Sequence, residues 1–136
     1  MKLVYKLLTL FLLLIFMNCA SESMEFTTAK TALRSEKNFK RAEEWLKKAL
    51  LVDSTDAMIC YVYATEILKP QKRFAEMAIM LDLAVKRSPN QKLETPFMWE
   101  EKPVLTIIDG VKAYKEQEWS IIYNEGIDNY QKNNLD

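Results

Sequence analysis

The chain has 136 residues, with 19 Lys+Arg against 19 Asp+Glu, no histidine and a formal net charge of zero. That balance excludes the concentrated positive field by which proteins grip nucleic acid, and the missing histidine removes the commonest general base and metal ligand. Only two glycines occur, Gly110 and Gly126, and the four prolines stand at 70, 89, 96 and 103. No Gly-rich phosphate loop, Cys-x-x-Cys or Gly-x-Ser-x-Gly is present, so the chemistry these motifs support has no carrier here.

The first element is apolar and short. Lys2 and Lys6 precede an unbroken run from Leu7 to Met17, followed by Asn18-Cys19-Ala20-Ser21. As a helix the run reaches roughly 17 Å, about half of a ~30 Å hydrocarbon core. It reads as the apolar core of an export signal. Phe16-Met17-Asn18-Cys19 resembles the processing site of bacterial lipoproteins. That resemblance implies removal of residues 1–18, acylation of Cys19 and a palmitate-type membrane anchor. Two acyl chains hold a protein stably to a bilayer, because each buried CH₂ contributes about 0.8 kcal/mol. An ordinary secretory cut after Ala20 and an uncleaved anchor are alternative readings of the same residues. Residues 19–23 then form the lipidated cysteine and a short tether, and residues 24–136 form one helical domain. The mature chain carries 17 Lys+Arg against 19 Asp+Glu, a net charge of −2.

Within that domain a pattern recurs. Phe39, Ala42, Leu46, Ala49-Leu50 and Ser54 are matched by Phe74, Met77, Leu81, Ala84-Val85 and Pro89, each pair 35 residues apart. The spacing puts each set on one helix face. The pattern resembles the second helix of the tetratricopeptide repeat. Phe26, Ala29 and Leu33 match the family's first helix in copy one, and Cys60, Tyr63, Ala64 and Ile67 match it in copy two. Pro70 marks an insertion between the helices of copy two. A third, degenerate copy is read in Val104 to Val111 after Pro103, and in the stripe Trp119, Ile122, Tyr123, Gly126, Ile127 and Tyr130. The resemblance implies an all-α fold: antiparallel helical hairpins stacked as a short right-handed array of about three repeats. Six helices are predicted, at about 24–37, 39–52, 57–68, 70–87, 103–116 and 118–132. One hairpin cannot bury its apolar face alone, so neighbouring copies stack.

Residues 91–102 are predicted to be a loop. It carries Phe97, Met98 and Trp99 in succession, although loops run over the surface. Either these side chains seal a seam between copies two and three, or they form an apolar contact for a partner or a bilayer.

The remaining candidates have plain structural readings. Cys60 falls on a helix stripe as a core thiol, and Trp45 shares the stripe of Ala42, Leu46 and Ala49. The acid pairs Glu43-Glu44 and Glu100-Glu101 are sequence neighbours, which on a helix diverge by about 100° and do not converge as a catalytic dyad. The expectation is a non-enzyme with no cofactor and no metal.

The resemblance places a partner-binding surface on the concave side lined by first helices, at Thr27, Arg34, Tyr61 and Thr65. Arg34 can pair a carboxylate and Tyr61 can anchor an extended segment. The implied function is a membrane-anchored envelope lipoprotein that faces the periplasm or cell surface. It would act as a non-catalytic adaptor for another envelope protein. The alternative is a structural or small-ligand-handling helical lipoprotein with no stable protein partner. Cys19→Ala is expected to abolish metabolic labelling with palmitate and move the chain out of the detergent phase on partitioning. An unchanged partition would disprove the anchor.

Overall fold

The computed structural model describes residues 22–133, with side chains as far as residue 121. The signal segment 1–18 and Cys19 therefore lie outside the described residues, as do the side chains of Ile122, Tyr123, Ile127 and Tyr130. Among the described residues, five helices and one two-stranded antiparallel sheet make up the fold.

The first pair is α1 (Met24–Arg34) and α2 (Phe39–Val52). Ser23 starts α1 by accepting a hydrogen bond from the Phe26 N–H at 3.2 Å, which satisfies one of the unpaired amides at a helix start. Asn38 does the same for α2, accepting from the Arg41 N–H at 3.0 Å. α1 buries Phe26, Ala29 and Ala32, and α2 buries Ala42, Leu46 and Ala49. These are i, i+3, i+4 spacings, one apolar stripe per helix. The two helices pack on each other across a four-residue turn.

The second pair is α3 (Ala57–Val62) and α4 (Phe74–Arg87). Asp56 caps α3, accepting from the Met58 N–H at 2.8 Å. α3 is buried along its whole length and runs directly into a π-helical segment, Tyr63–Leu68. α4 buries Met77, Leu81 and Ala84, the 35-residue counterparts of Ala42, Leu46 and Ala49. The correspondence extends to the turns. Lys37 and Lys72 both have positive φ, at 50° and 56°, and each immediately precedes a helix N-cap. The second helices begin 35 residues apart, at Phe39 and Phe74, while the first begin 33 apart, at Met24 and Ala57. The second copy therefore carries extra residues between its helix starts, and a π turn absorbs one by widening the winding.

Beyond Arg87 the fold departs from the expected array. The predicted loop is a hairpin, β1 (Lys92–Trp99) with β2 (Lys102–Thr106). Met98 pairs with Pro103 and Trp99 with Lys102. The turn is Glu100-Glu101, with φ of 45° and 63°. Two successive positive φ values give a turn whose twist matches that of the strands. Between Lys92 and Phe97 the register shifts, where Pro96 has no N–H to give. Helix α5 (Ile107–Asn133) follows without a break. Its start is set by Thr106, whose Oγ1 accepts from the Asp109 N–H at 3.4 Å and donates to Asp109 Oδ2 at 2.6 Å.

The all-α class is thus corrected to a mostly helical fold with a β-hairpin, and six helices become five. Helices predicted at 103–116 and 118–132 are one element. Residues 103–106 pair as a strand, since Pro103-Val104-Leu105-Thr106 favours extended backbone. Nothing between Lys115 and Glu118 breaks a helix: Lys, Glu and Gln are all good helix formers. Two boundaries also move. α1 stops at Arg34 rather than 37, and α4 starts at Phe74 rather than 70, because the turns at Lys37 and Lys72 need left-handed backbone.

The core joins all of these elements. Phe26, Leu46, Ile59, Ile67, Leu68, Leu81 and Ile107 are its largest fully buried side chains. Ala49 and Ala84 are 0% exposed. Ala49→Leu or Ala84→Leu is expected to overpack the helix crossings and cost about 1–3 kcal/mol, read as a lower midpoint in urea. A midpoint unchanged in both variants would place these alanines outside the helix contacts.

Candidate functional site

Two concavities flank one aromatic side chain, Tyr114 of α5. On one side is a cleft of about 240 Å³ between α1, α3 and β1, lined by Arg34, Tyr61, Thr65, Leu93, Phe97 and Tyr114, among others. On the other is a groove of about 310 Å³ between α4 and α5, lined by Phe74, Met77, Ala78, Leu81, Tyr114, Lys115 and Trp119, and by the buried Glu118, which pairs with Lys69 at 3.1 Å. Tyr114 meets the Tyr61 ring edge-on at 6.0 Å and the Phe97 ring at 5.8 Å. The Lys69 ammonium lies 4.5 Å from its ring centroid, an attraction between cation and π face.

Three of the four predicted concave residues meet at the cleft. Arg34, Tyr61 and Thr65 line it, while Thr27 is exposed on α1 away from it. Tyr61 and Thr65 are themselves only 7% and 8% exposed. Thr65 Oγ1 donates to the Tyr61 carbonyl at 3.0 Å, which occupies its hydroxyl within the helix. Burial pushes the Tyr61 hydroxyl well above its usual pKa, helped by Tyr114 and Glu66.

Arg34 holds a carboxylate from its own chain. Its Nη2 donates to Glu94 Oε2 at 2.9 Å, and Lys30 Nζ donates to Glu94 Oε1 at 2.9 Å and to Glu22 Oε1 at 2.6 Å. Burial raises the Glu94 carboxyl, but hydrogen bonds from Lys30 and Arg34 outweigh it and hold the group below its ordinary value. β1 is thereby latched across the side of α1. No feature of Glu94 in the sequence announced this role, because the partner is 60 residues away.

The predicted apolar triplet splits by strand alternation. Phe97 and Trp99 are half-buried against the core, and Met98 is 63% exposed. The groove between α4 and α5 is a surface that the sequence marks only through Trp119, which is 73% exposed. Its other walls, Phe74, Met77 and Leu81, belong to the repeat pattern and read from sequence as core.

A second charged cluster ties α2 to the segment between α3 and α4. Glu43 Oε1 accepts from Tyr63 Oη at 2.9 Å, Arg73 Nη1 at 2.9 Å and Lys47 Nζ at 2.8 Å. Burial pushes the Glu43 carboxyl up, but the hydrogen bonds from Lys47, Arg73 and Tyr63 together hold it at about 2.

Among the described residues no group of three or more His, Cys, Asp or Glu is placed to hold a metal ion. No helix among them is long and apolar enough to cross a membrane. No protein-family model, curated protein or solved structure matches the chain.

The Glu43 cluster makes acid stability predictable. A carboxyl whose folded pKa is depressed contributes stability that is full above its unfolded value, near 4.5, and is lost as pH falls toward about 2. The loss across that window is expected to be on the order of 1–2 kcal/mol after solvent screening. Urea midpoints between pH 6 and pH 2.5 test it. Glu43→Gln should lower stability at pH 6 and flatten the acid limb, and an acid limb as steep as the parent's would exclude Glu43 as a main source.

Proposed function

We propose that this chain is an envelope lipoprotein, acylated at Cys19, whose helical domain is a non-catalytic module that holds a protein partner. The apolar run Leu7–Met17 and the sequence Phe16–Cys19 support the anchor. The recurrence at 35 residues of helix faces and positive-φ turns supports a tetratricopeptide-like origin for the first four helices. In this reading the hairpin and α5 stand where a third copy would be. The domain faces the periplasm or the cell surface.

The groove between α4 and α5 carries the binding part of this reading. Its lining is almost wholly apolar, and Trp119 stands at its rim with 73% of its surface open. A large exposed aromatic beside an apolar groove is the composition of a binding hot spot. The predicted concave site is the weaker candidate: Tyr61 and Thr65 are covered, and Arg34 is engaged by Glu94. Isolated exposed apolar residues are ordinary, but here the Trp119 rim adjoins Phe74, Met77 and Leu81 in one hollow. A structural or small-ligand role is the second reading, favoured by the groove's volume, which lies at the lower end for small-molecule sites.

Cross-linked recovery from native membranes separates the two. A stoichiometric protein partner is expected with the parent chain, and Trp119→Ala is expected to lose it while keeping the thermal midpoint. Full recovery with Trp119→Ala would remove the groove as the binding surface. Absence of any partner from the parent chain would leave the second reading standing.

A further inference from the structure

The hairpin has an outer face that is apolar where a half-exposed sheet is ordinarily polar. Phe97, Trp99 and Val104 turn inward: Val104 is 4% exposed, and Phe97 and Trp99 pack on the core. By strand alternation Met98, Pro103 and Leu105 turn outward. Met98 and Pro103 are direct cross-strand partners. Met98 is 63% exposed and Leu105 49% exposed, and Pro96 and Pro103 are exposed as well. No described element covers this face.

The start of the described chain is fastened to the same hairpin. Glu22 and Glu94 share the Lys30 ammonium, at 2.6 and 2.9 Å. Ser23 then caps α1 through the Phe26 N–H. The chain therefore enters the domain from a fixed point beside β1. Cys19 lies three residues before Glu22, which spans at most about 10 Å of extended chain. Met98 lies four strand residues beyond Glu94, about 13 Å. An anchor in the bilayer at Cys19 puts the hairpin within reach of the headgroup layer.

We propose that Met98, Pro103 and Leu105 form a lipid-contacting face that rests on the bilayer surface when the chain is anchored. The inference rests on the anchoring reading above. The occupant is a lipid surface rather than a partner strand, because Pro96 and Pro103 remove backbone N–H donors from the two strands. Those prolines block β-augmentation. They also leave fewer amides to go unsatisfied near hydrocarbon. The contact is apolar rather than electrostatic: beside the face stand exposed Glu100, Glu101 and Lys102, which together carry no net positive charge to attract anionic headgroups. The contact can be weak by itself, since the anchor keeps the face at high effective concentration against the membrane.

The test uses the full acylated chain in phosphatidylcholine vesicles. Met98→Cys carries an environment-sensitive nitrobenzoxadiazole label. Leu51→Cys, at a site on α2 that is 86% exposed, carries the control label. Cys60 is buried and is not expected to react in the native fold. Flotation reports the anchor, and emission reports the face. Expected is flotation of both chains, with several-fold brighter, blue-shifted emission at position 98 and water-like emission at position 51. Flotation with water-like emission at 98 overturns this inference alone, and so does equal brightening at 51. Brightening that needs anionic lipid overturns the apolar contact. Brightening that needs added envelope proteins reassigns the face to a protein. A chain that does not float overturns the anchor and the inference with it.

Discussion

The close approach of α5 to α3 at Gly110 and Tyr61 governs the second half of the fold. Gly110 is buried, and a Cβ placed on it would meet the Tyr61 ring carbons at 2.9 Å, closer than real Cβ contacts allow. Only glycine lets the helix settle this low onto the Tyr61 ring. One helical turn later Tyr114 meets the edge of that ring. α5 thus lies across α3. Tyr61 is covered as a direct result, and so the cleft keeps Tyr61 as a wall and not as an open contact. Phe97 can reach Tyr114 only because α5 holds it there, so the hairpin's inner face depends on the same contact.

Charged side chains then fix how these pieces register. Each cluster joins elements far apart in sequence. Glu94 ties β1 to Lys30 and Arg34 of α1, Glu43 ties α2 to Tyr63 and Arg73, and Lys69 ties the π segment to Gln117 and Glu118 of α5. Exposed ion pairs contribute little to stability. Their value here is geometric. An apolar core of alanines and leucines accepts several helix offsets at similar energy, and each charged cluster is satisfied at one offset. The carboxylates that do this, Glu43 and Glu94, are also ones whose titration the fold lowers.

The sequence made the first four helices legible for a physical reason. Their stripes repeat at helical spacing, and the capping residues Ser23, Asn38 and Asp56 mark three of the starts. Helix α2 was readable to its ends, 39 and 52. The hairpin was hidden because its signals compete. Phe97, Met98 and Trp99 look like a cluster in a loop until alternation separates them, and its turn is Glu-Glu rather than the Asn-Gly that favours positive φ. The repeat template also imposed a break near residue 117 that no Gly or Pro supports. The candidate site was half readable. Arg34, Tyr61 and Thr65 do meet at one cleft, because Arg34 ends α1 there and Tyr61 and Thr65 stand one helical turn apart on its opposite wall. The burial of Tyr61 and Thr65 and the pairing of Arg34 with Glu94 were not readable, since they depend on Gly110, Glu94 and Phe97 arriving from the part of the chain beyond Arg87.

Helix α5 also sets how the hairpin and the groove lie relative to each other. The hairpin folds back along it: Phe97 meets Tyr114, and Trp99 and Pro103 share a hollow with Lys112, Ala113 and Glu116. Tyr114 lines the groove between α4 and α5 as well. One helix therefore backs the hairpin and walls the groove at the same time. A turn at residue 117 would have ended it at the hairpin contact, whereas the unbroken helix Ile107–Asn133 carries Trp119 on past that contact to the rim of the groove.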